Sequence, residues 1–191
     1  MLSGSLPAGL RIGKTSCVAL GELIQAVNNS GYSGLGLRLP DGTEIVDPSK
    51  RFLFNAPWPW YQVNPDSLSG SNVLRTAADV AVTAPRTDGW SPLFHVGTHN
   101  ERVALESMSP RVVAKRVAAA SGLVSSGVQK VVLDGRRALL INGVDRVSST
   151  PVLMAYAPND EFLVIARAEL GPDVGGYAMH VRSMLASWQW A

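Results

Sequence analysis

QKVVLDGRRALLINGVDRVSSTPVLMAYAPNDEFLVIARAELGPDVGGYAMHVRSMLASWQW, residues 129–190, is the most regular part of the chain. Gln129 to Leu133 is a β-prone run that ends at Asp134-Gly135. Asp-Gly favours the positive φ angles of a type I′ hairpin turn. Arg137 to Val147 continues the β-prone pattern, and Gly143 inside it marks a bulge. Pro151 to Ala157 and Phe162 to Ala168 are two further apolar runs, separated by the turn Pro158-Asn159-Asp160. These runs predict adjacent antiparallel strands, buried on at least one face. Gly171-Pro172 stops the sheet, and Asp173 caps a helix. Tyr177, Val181, Met184, Leu185 and Trp188 recur at helical spacing and form one apolar stripe. That helix is expected to lie across the sheet.

The chain has 191 residues, which suits one domain with an extension. A hydrophobic fraction of 46% and a charged fraction of 17% fit a globular protein with a sizeable core. The net charge of +2 gives no argument for nucleic acid or anionic membranes. A single cysteine, Cys17, excludes an internal disulfide framework and a cysteine-based zinc site. No apolar run approaches the ~20 residues that span a bilayer. Met1 to Leu10 lacks the basic n-region of a signal peptide. The expected location is therefore cytoplasmic, or within a virion or other large assembly.

Outward from the regular stretch, the chain divides into residues 1–48 and residues 49–191. The first part reads as a glycine-rich arm, a short helix from Thr15 to about Asn28, and a small hairpin over 34–46 turning at Asp41-Gly42. Asp47-Pro48-Ser49 reads as a boundary. Phe52-Leu53-Phe54 opens the second part as a strand. It leads into Pro57-Trp58-Pro59-Trp60-Tyr61, where two prolines fence three aromatics and exclude a central strand. Strands are expected over Asp79–Ala84 and Leu93–Val96. Ser109-Pro110 starts a helix whose inner face is Val112, Val113, Val117 and Ala120, closed by Gly122. Ser125-Ser126-Gly127 then leads into the sheet.

Signals for catalysis are weak. Gly13-Lys14-Thr15-Ser16 resembles the end of a phosphate-binding loop, but the first glycine is misplaced and no strand precedes it. His95 and His99 are four apart with Glu101 nearby. On a helix they would share a face for metal binding; Gly97 and Thr98 argue against a helix, and on a strand they lie ~13 Å apart. His180 sits at the edge of the apolar stripe. Asp134 occupies a turn for backbone reasons. Arg136-Arg137 with Arg146 across the hairpin reads as a solvated sheet face. No metal site, cofactor motif or catalytic set is expected. The candidate partner- or ligand-binding residues are Trp58, Trp60, Tyr61 and Trp188.

From Phe52 onward the chain resembles the Mog1/PsbP/DcrB-like fold family, which also includes LpqN-type proteins. The shared features are the strand running into the Pro57-Trp58 turn, the short strand ending at Pro85, and the helix opening at Ser109-Pro110. The antiparallel meander with its turn at Asp134-Gly135 and the finish Met184-Leu185-Ala186-Ser187-Trp188 complete the pattern. The resemblance implies an α+β fold, an α/β/α sandwich around an antiparallel sheet. It also implies action without catalysis, since such proteins bind GTPases, stabilise photosynthetic complexes, chaperone effectors or bind lipids. The expected function is a non-enzymatic accessory or structural subunit, with a virion or tail component and a subunit of a membrane-associated complex as subtypes. Its partners are other protein subunits, met through residues 1–48 and the Trp/Pro turn. The alternatives are a small-molecule or lipid-binding module lined by the same aromatics, and an enzyme using His95 and His99.

Overall fold

The structure is a computed structural model that describes residue 35 and residues 42–68, 78–86, 89–99, 109–171 and 173–191. The motif at 13–16, the helix at 15–28 and most of the expected 1–48 arm lie outside these residues. Ten strands and two α-helices are described. The strands are β1 (Gly42–Val46), β2 (Phe52–Pro57), β3 (Tyr61–Val63), β4 (Val80–Thr83) and β5 (Leu93–His99). They continue as β6 (Leu123–Leu133), β7 (Arg136–Asp145), β8 (Pro151–Pro158), β9 (Leu163–Glu169) and β10 (Gln189–Trp190). The helices are α1 (Pro110–Ala120) and α2 (Val174–Ala186).

Seven strands form one antiparallel sheet in the order β3-β4-β5-β9-β8-β7-β6. Alternation along each strand sends side chains to opposite faces. Leu140, Leu153, Ala155, Val164 and Ala166 face a core closed by α2 and by a smaller sheet, β1-β2-β10. Leu139, Ile141, Met154 and Tyr156 face a second core closed by α1. The architecture is therefore an α/β/α sandwich of the α+β class, with a small sheet sharing the α2 layer.

The meander forms for the reasons its sequence gives. Asp134 and Gly135 have φ of +43° and +77°, as a type I′ turn requires. Gly143 does mark a bulge, but on the neighbouring strand: the register slips between Ser125 and Gly127 of β6. A Cβ at Gly143 would lie 2.6 Å from the Val124 carbonyl oxygen, so only glycine lets the bulged backbone approach. Ser125-Ser126-Gly127 is thus inside β6 rather than a lead-in to it.

Two further expectations shift. The Gly42–Val46 segment pairs with β2, and Asp47–Lys50 is the turn of that hairpin. Arg51 fixes this turn by bonding both Asp47 oxygens, at 2.7 and 2.9 Å, and it also meets Asp79 and Thr98 beside β5. Residues 42–46 therefore belong to the same folded unit as β2. On α1 the buried residues are Val113, Ala114 and Ala118, whereas Val112 is exposed. The inner face is rotated toward the alanines because small side chains let the helix lie close over β6 and β7. Ser109 contributes its backbone carbonyl to Val112 and Val113, with no side-chain cap.

The α2 stripe is buried as its spacing requires, and the Asp173 carboxylate accepts from Gly176 N–H at 3.2 Å. Trp188, just beyond the helix, stacks on Phe52 at 4.5 Å and on Phe54 at 5.7 Å between ring centroids. Ser187 Oγ accepts from Asn55 N–H, which ties the helix end to β2.

Candidate functional site

The Pro/Trp turn divides its aromatics between core and solvent. β2 ends at Pro57, and the Trp60 N–H donates to the Pro57 carbonyl at 2.9 Å, closing the turn before β3. Trp60 is 3% exposed and packs edge-on against Tyr177. Its indole N–H donates to Nδ1 of His180 at 3.0 Å. His180 is held neutral-leaning: burial lowers its pKa, against a smaller opposite pull from Asp173. Trp58 is 82% exposed and Tyr61 half exposed. The four predicted site residues are therefore not one cavity lining. Trp60 and Trp188 are core, while Trp58 and Tyr61 stand on the surface of a turn that the core holds rigid.

The histidine pair lies on the extended strand β5, and both residues share its α1 face. At the rise of a strand they are ~13 Å apart, so they do not converge. His95 pairs across from Arg167 of β9 and is almost fully buried. Neither of its ring nitrogens has a hydrogen-bond partner among the described residues. Burial, and then the neighbouring Arg167 charge, push it down to about 3, so it is neutral. Asp134 accepts from the Trp190 N–H at 2.9 Å, a structural contact that holds β10. Among the described residues, no group of three or more His, Cys, Asp or Glu could hold a metal ion. None of their helices is long and apolar enough to cross a membrane.

The polar feature that the sequence reading passed over is a buried charge cluster on the α1 face. Arg167 Nη2 donates to Asp145 Oδ2 at 2.7 Å and to Glu169 Oε1 at 3.2 Å. Arg167 Nη1 donates to the Ser121 carbonyl at 2.8 Å, just past the end of α1. All three charged residues are buried. Burial acts to raise the Asp145 carboxyl, but the Ser148 N–H, Arg167 and the Val147 N–H outweigh it and hold it below the usual range. Burial raises Glu169, and Arg167 only partly offsets this. The cluster clamps the α1 C-terminus to β9 and to the end of β7. A signal was present: Arg167 and Glu169 are two apart in an apolar strand, so they share one face and require a partner there.

His95 gives this face a measurable pH response. As pH falls, the unfolded chain takes up the proton near 6.5 and the folded chain only near 3. The His95 contribution to stability is therefore complete above 6.5 and is lost progressively below it. From pH 7 to pH 5 the loss is about 2 kcal/mol. Asp145 adds to the loss only below its ordinary 3.8, and Glu169 acts in the opposite sense above its ordinary 4.5. Urea denaturation at pH 7, 6 and 5 should show a smaller decline in His95→Leu than in the parent chain.

Beneath α1, a groove of about 690 Å³ opens between the helix and the bulged half of β6. Its floor includes Ala118, Leu123 and Val128, and Arg111, Lys115 and Arg146 line it as well. Arg146 lies beyond the end of β7 opposite to Arg136, which pairs with Asp160 at 2.7 Å; the two arginines do not form one patch.

Among solved structures, the chain is similar to the solution structure of cyanobacterial PsbP (CyanoP) from Synechocystis sp. PCC 6803. The TM-score is 0.56 at 13% identity, covering 83% of this chain and 96% of that one. A crystal structure from Bacteroides thetaiotaomicron VPI-5482 matches with a TM-score of 0.48 at 11% identity, covering 78% of this chain and 48% of that one. No protein-family model matches the sequence, and no curated protein matches it. The fold is thus PsbP-like, as the order of motifs from Phe52 onward implied.

Proposed function

We propose that this chain is a non-enzymatic interaction protein, an accessory subunit that holds a partner protein through its Pro57–Tyr61 turn. The observation that carries the reading is Trp58, an indole 82% exposed on a turn that is otherwise anchored. Large exposed aromatics on rigid supports are typical binding anchors, because little conformational freedom is lost on docking. Here the support is the buried Trp60 with its bond to His180, and the prolines on either side of Trp58. Tyr61, half exposed at the start of the edge strand β3, extends the same surface.

The PsbP-like fold accommodates this role without assigning it, so the reading rests on the turn. The neutral, enclosed state of His95 weighs against the histidine-based enzyme, and the burial of Trp60 and Trp188 weighs against the Trp-lined lipid cavity.

A photo-crosslinking residue placed at position 58 in cells that encode the chain is expected to capture one protein, and one placed at Met179, exposed on α2, is not. Trp58→Ala should leave stability within about 0.5 kcal/mol, because the side chain is in solvent. It should weaken partner binding by about 2 kcal/mol or more, roughly 30-fold. Equal capture at both positions, or unchanged binding in Trp58→Ala, would remove the anchor.

A further inference from the structure

We propose that the groove between α1 and β6 is a second docking site, one that takes an extended acidic segment of a partner protein. Arg111 and Lys115 are four apart on α1, so they sit on one helix face. Arg146 approaches from the loop after β7, where its N–H bonds the Gly122 carbonyl at 2.9 Å. Among the described residues, none of the three is ion-paired and no carboxylate lines the groove. Three cations around an apolar floor call for an occupant that is both anionic and apolar.

The strand beside the groove narrows the class. Among the described strands, β6 is the outermost of the seven-stranded sheet and pairs only with β7. On its other face Val124 lies opposite Val144, and the two are 52% and 40% exposed. Side chains of an extended segment alternate between faces. A segment laid along this end of β6 therefore places carboxylates against Arg111, Lys115 and Arg146, and apolar side chains on the Val124–Val144 pair. The bulge at Ser125–Gly127 interrupts the regular edge, so side-chain contacts rather than a long backbone ladder hold the segment. A single-stranded nucleic acid fits less well, since none of the described lining residues is aromatic and able to stack a base.

The Arg167 clamp has a place in this account. By bonding the Ser121 carbonyl and Asp145, it sets the end of α1 against the sheet and so fixes the width of the groove. The site does not depend on the Trp58 anchor.

The test uses the full chain and fluorescence anisotropy with a labelled peptide of repeating Glu-Val, the same peptide with Lys for Glu, and an oligothymidylate. The Glu-Val peptide is expected to bind saturably and to weaken as salt rises. The double variant Arg111→Glu, Lys115→Glu changes only exposed side chains, and should weaken it about tenfold with an unchanged melting temperature. Trp58→Ala should bind it as the parent does, which separates this site from the aromatic turn. Absence of Glu-Val binding, equal binding of the Lys-Val peptide, tighter binding of the oligothymidylate, or indifference to the charge reversal would each overturn the proposal.

Discussion

Replacing Arg167 with Met should lower the unfolding free energy by about 3–5 kcal/mol, because it leaves Glu169 buried without its donor and Asp145 with only the donors of its own turn. Asp145 and Glu169 both bond the guanidinium, at 2.7 and 3.2 Å. The Ser121 carbonyl loses its donor in the same step. Such a loss is a large share of the ~5–15 kcal/mol that holds a typical domain folded. For a chain of this size it corresponds to a drop in melting temperature of about 10 °C. Part of the cost is avoided by removing the charges together. The double variant Arg167→Met, Glu169→Leu should be clearly more stable than Arg167→Met alone, since the carboxylate left without a donor is then gone and Asp145 keeps the Val147 and Ser148 N–H groups. Equilibrium urea denaturation decides the matter. A loss under about 1 kcal/mol in Arg167→Met would mean that the cluster is hydrated and does not clamp α1.

Trp188→Ala should cost a similar amount, about 3–5 kcal/mol, by a different route. The indole is 2% exposed and lies face to face with Phe52 and Phe54, with Trp190 edge-on at 5.4 Å. Its removal opens a void between the small sheet and the large one, where three aromatic rings lose their contacts. β10 follows directly, and its two residue pairs with β2 should weaken, while Trp190 stays tied to Asp134 and to the Leu133 carbonyl. Trp188→Phe should recover more than half of the loss. The ring is kept, and the indole nitrogen has no partner among the described residues to forfeit. A Trp188→Ala chain that unfolds at the parent's urea midpoint would show that this core tolerates collapse around the gap.

Much of the architecture was legible from Gln129 to Trp190 because local rules and packing agree there. The Asp134-Gly135 turn, the antiparallel meander and the α2 stripe are each dictated by short-range chemistry, and the structure repeats them. The bulge was readable only in part, because Gly143 reports a close approach without saying which strand carries the extra residue. The β1–β2 hairpin was missed because its turn, Asp47-Pro48-Ser49, has the composition of a linker. What makes it a turn is the long-range hold of Arg51 on Asp47, Asp79 and Thr98. The α1 face was read one position off, since valines outrank alanines on any hydrophobic scale and the helix packs by size instead.

The aromatic turn shows the same limit at the site. Composition identifies Trp58, Trp60, Tyr61 and Trp188 as a set but not which of them face solvent. Exposure is fixed by the bond from Trp60 to His180, 120 residues apart in sequence. Arg167 was hidden inside an apolar strand, where its partner Asp145 lies 22 residues away across a turn and another strand.

Native mass spectrometry of the full chain, purified under mild conditions from cells that encode it, is the direct test of the interaction-protein reading. The parent chain is expected to run as a complex with a second protein in fixed stoichiometry, and Trp58→Ala to fall to the 20.3 kDa of the free chain. A parent chain that runs at 20.3 kDa, alone and indistinguishable from Trp58→Ala, would contradict it.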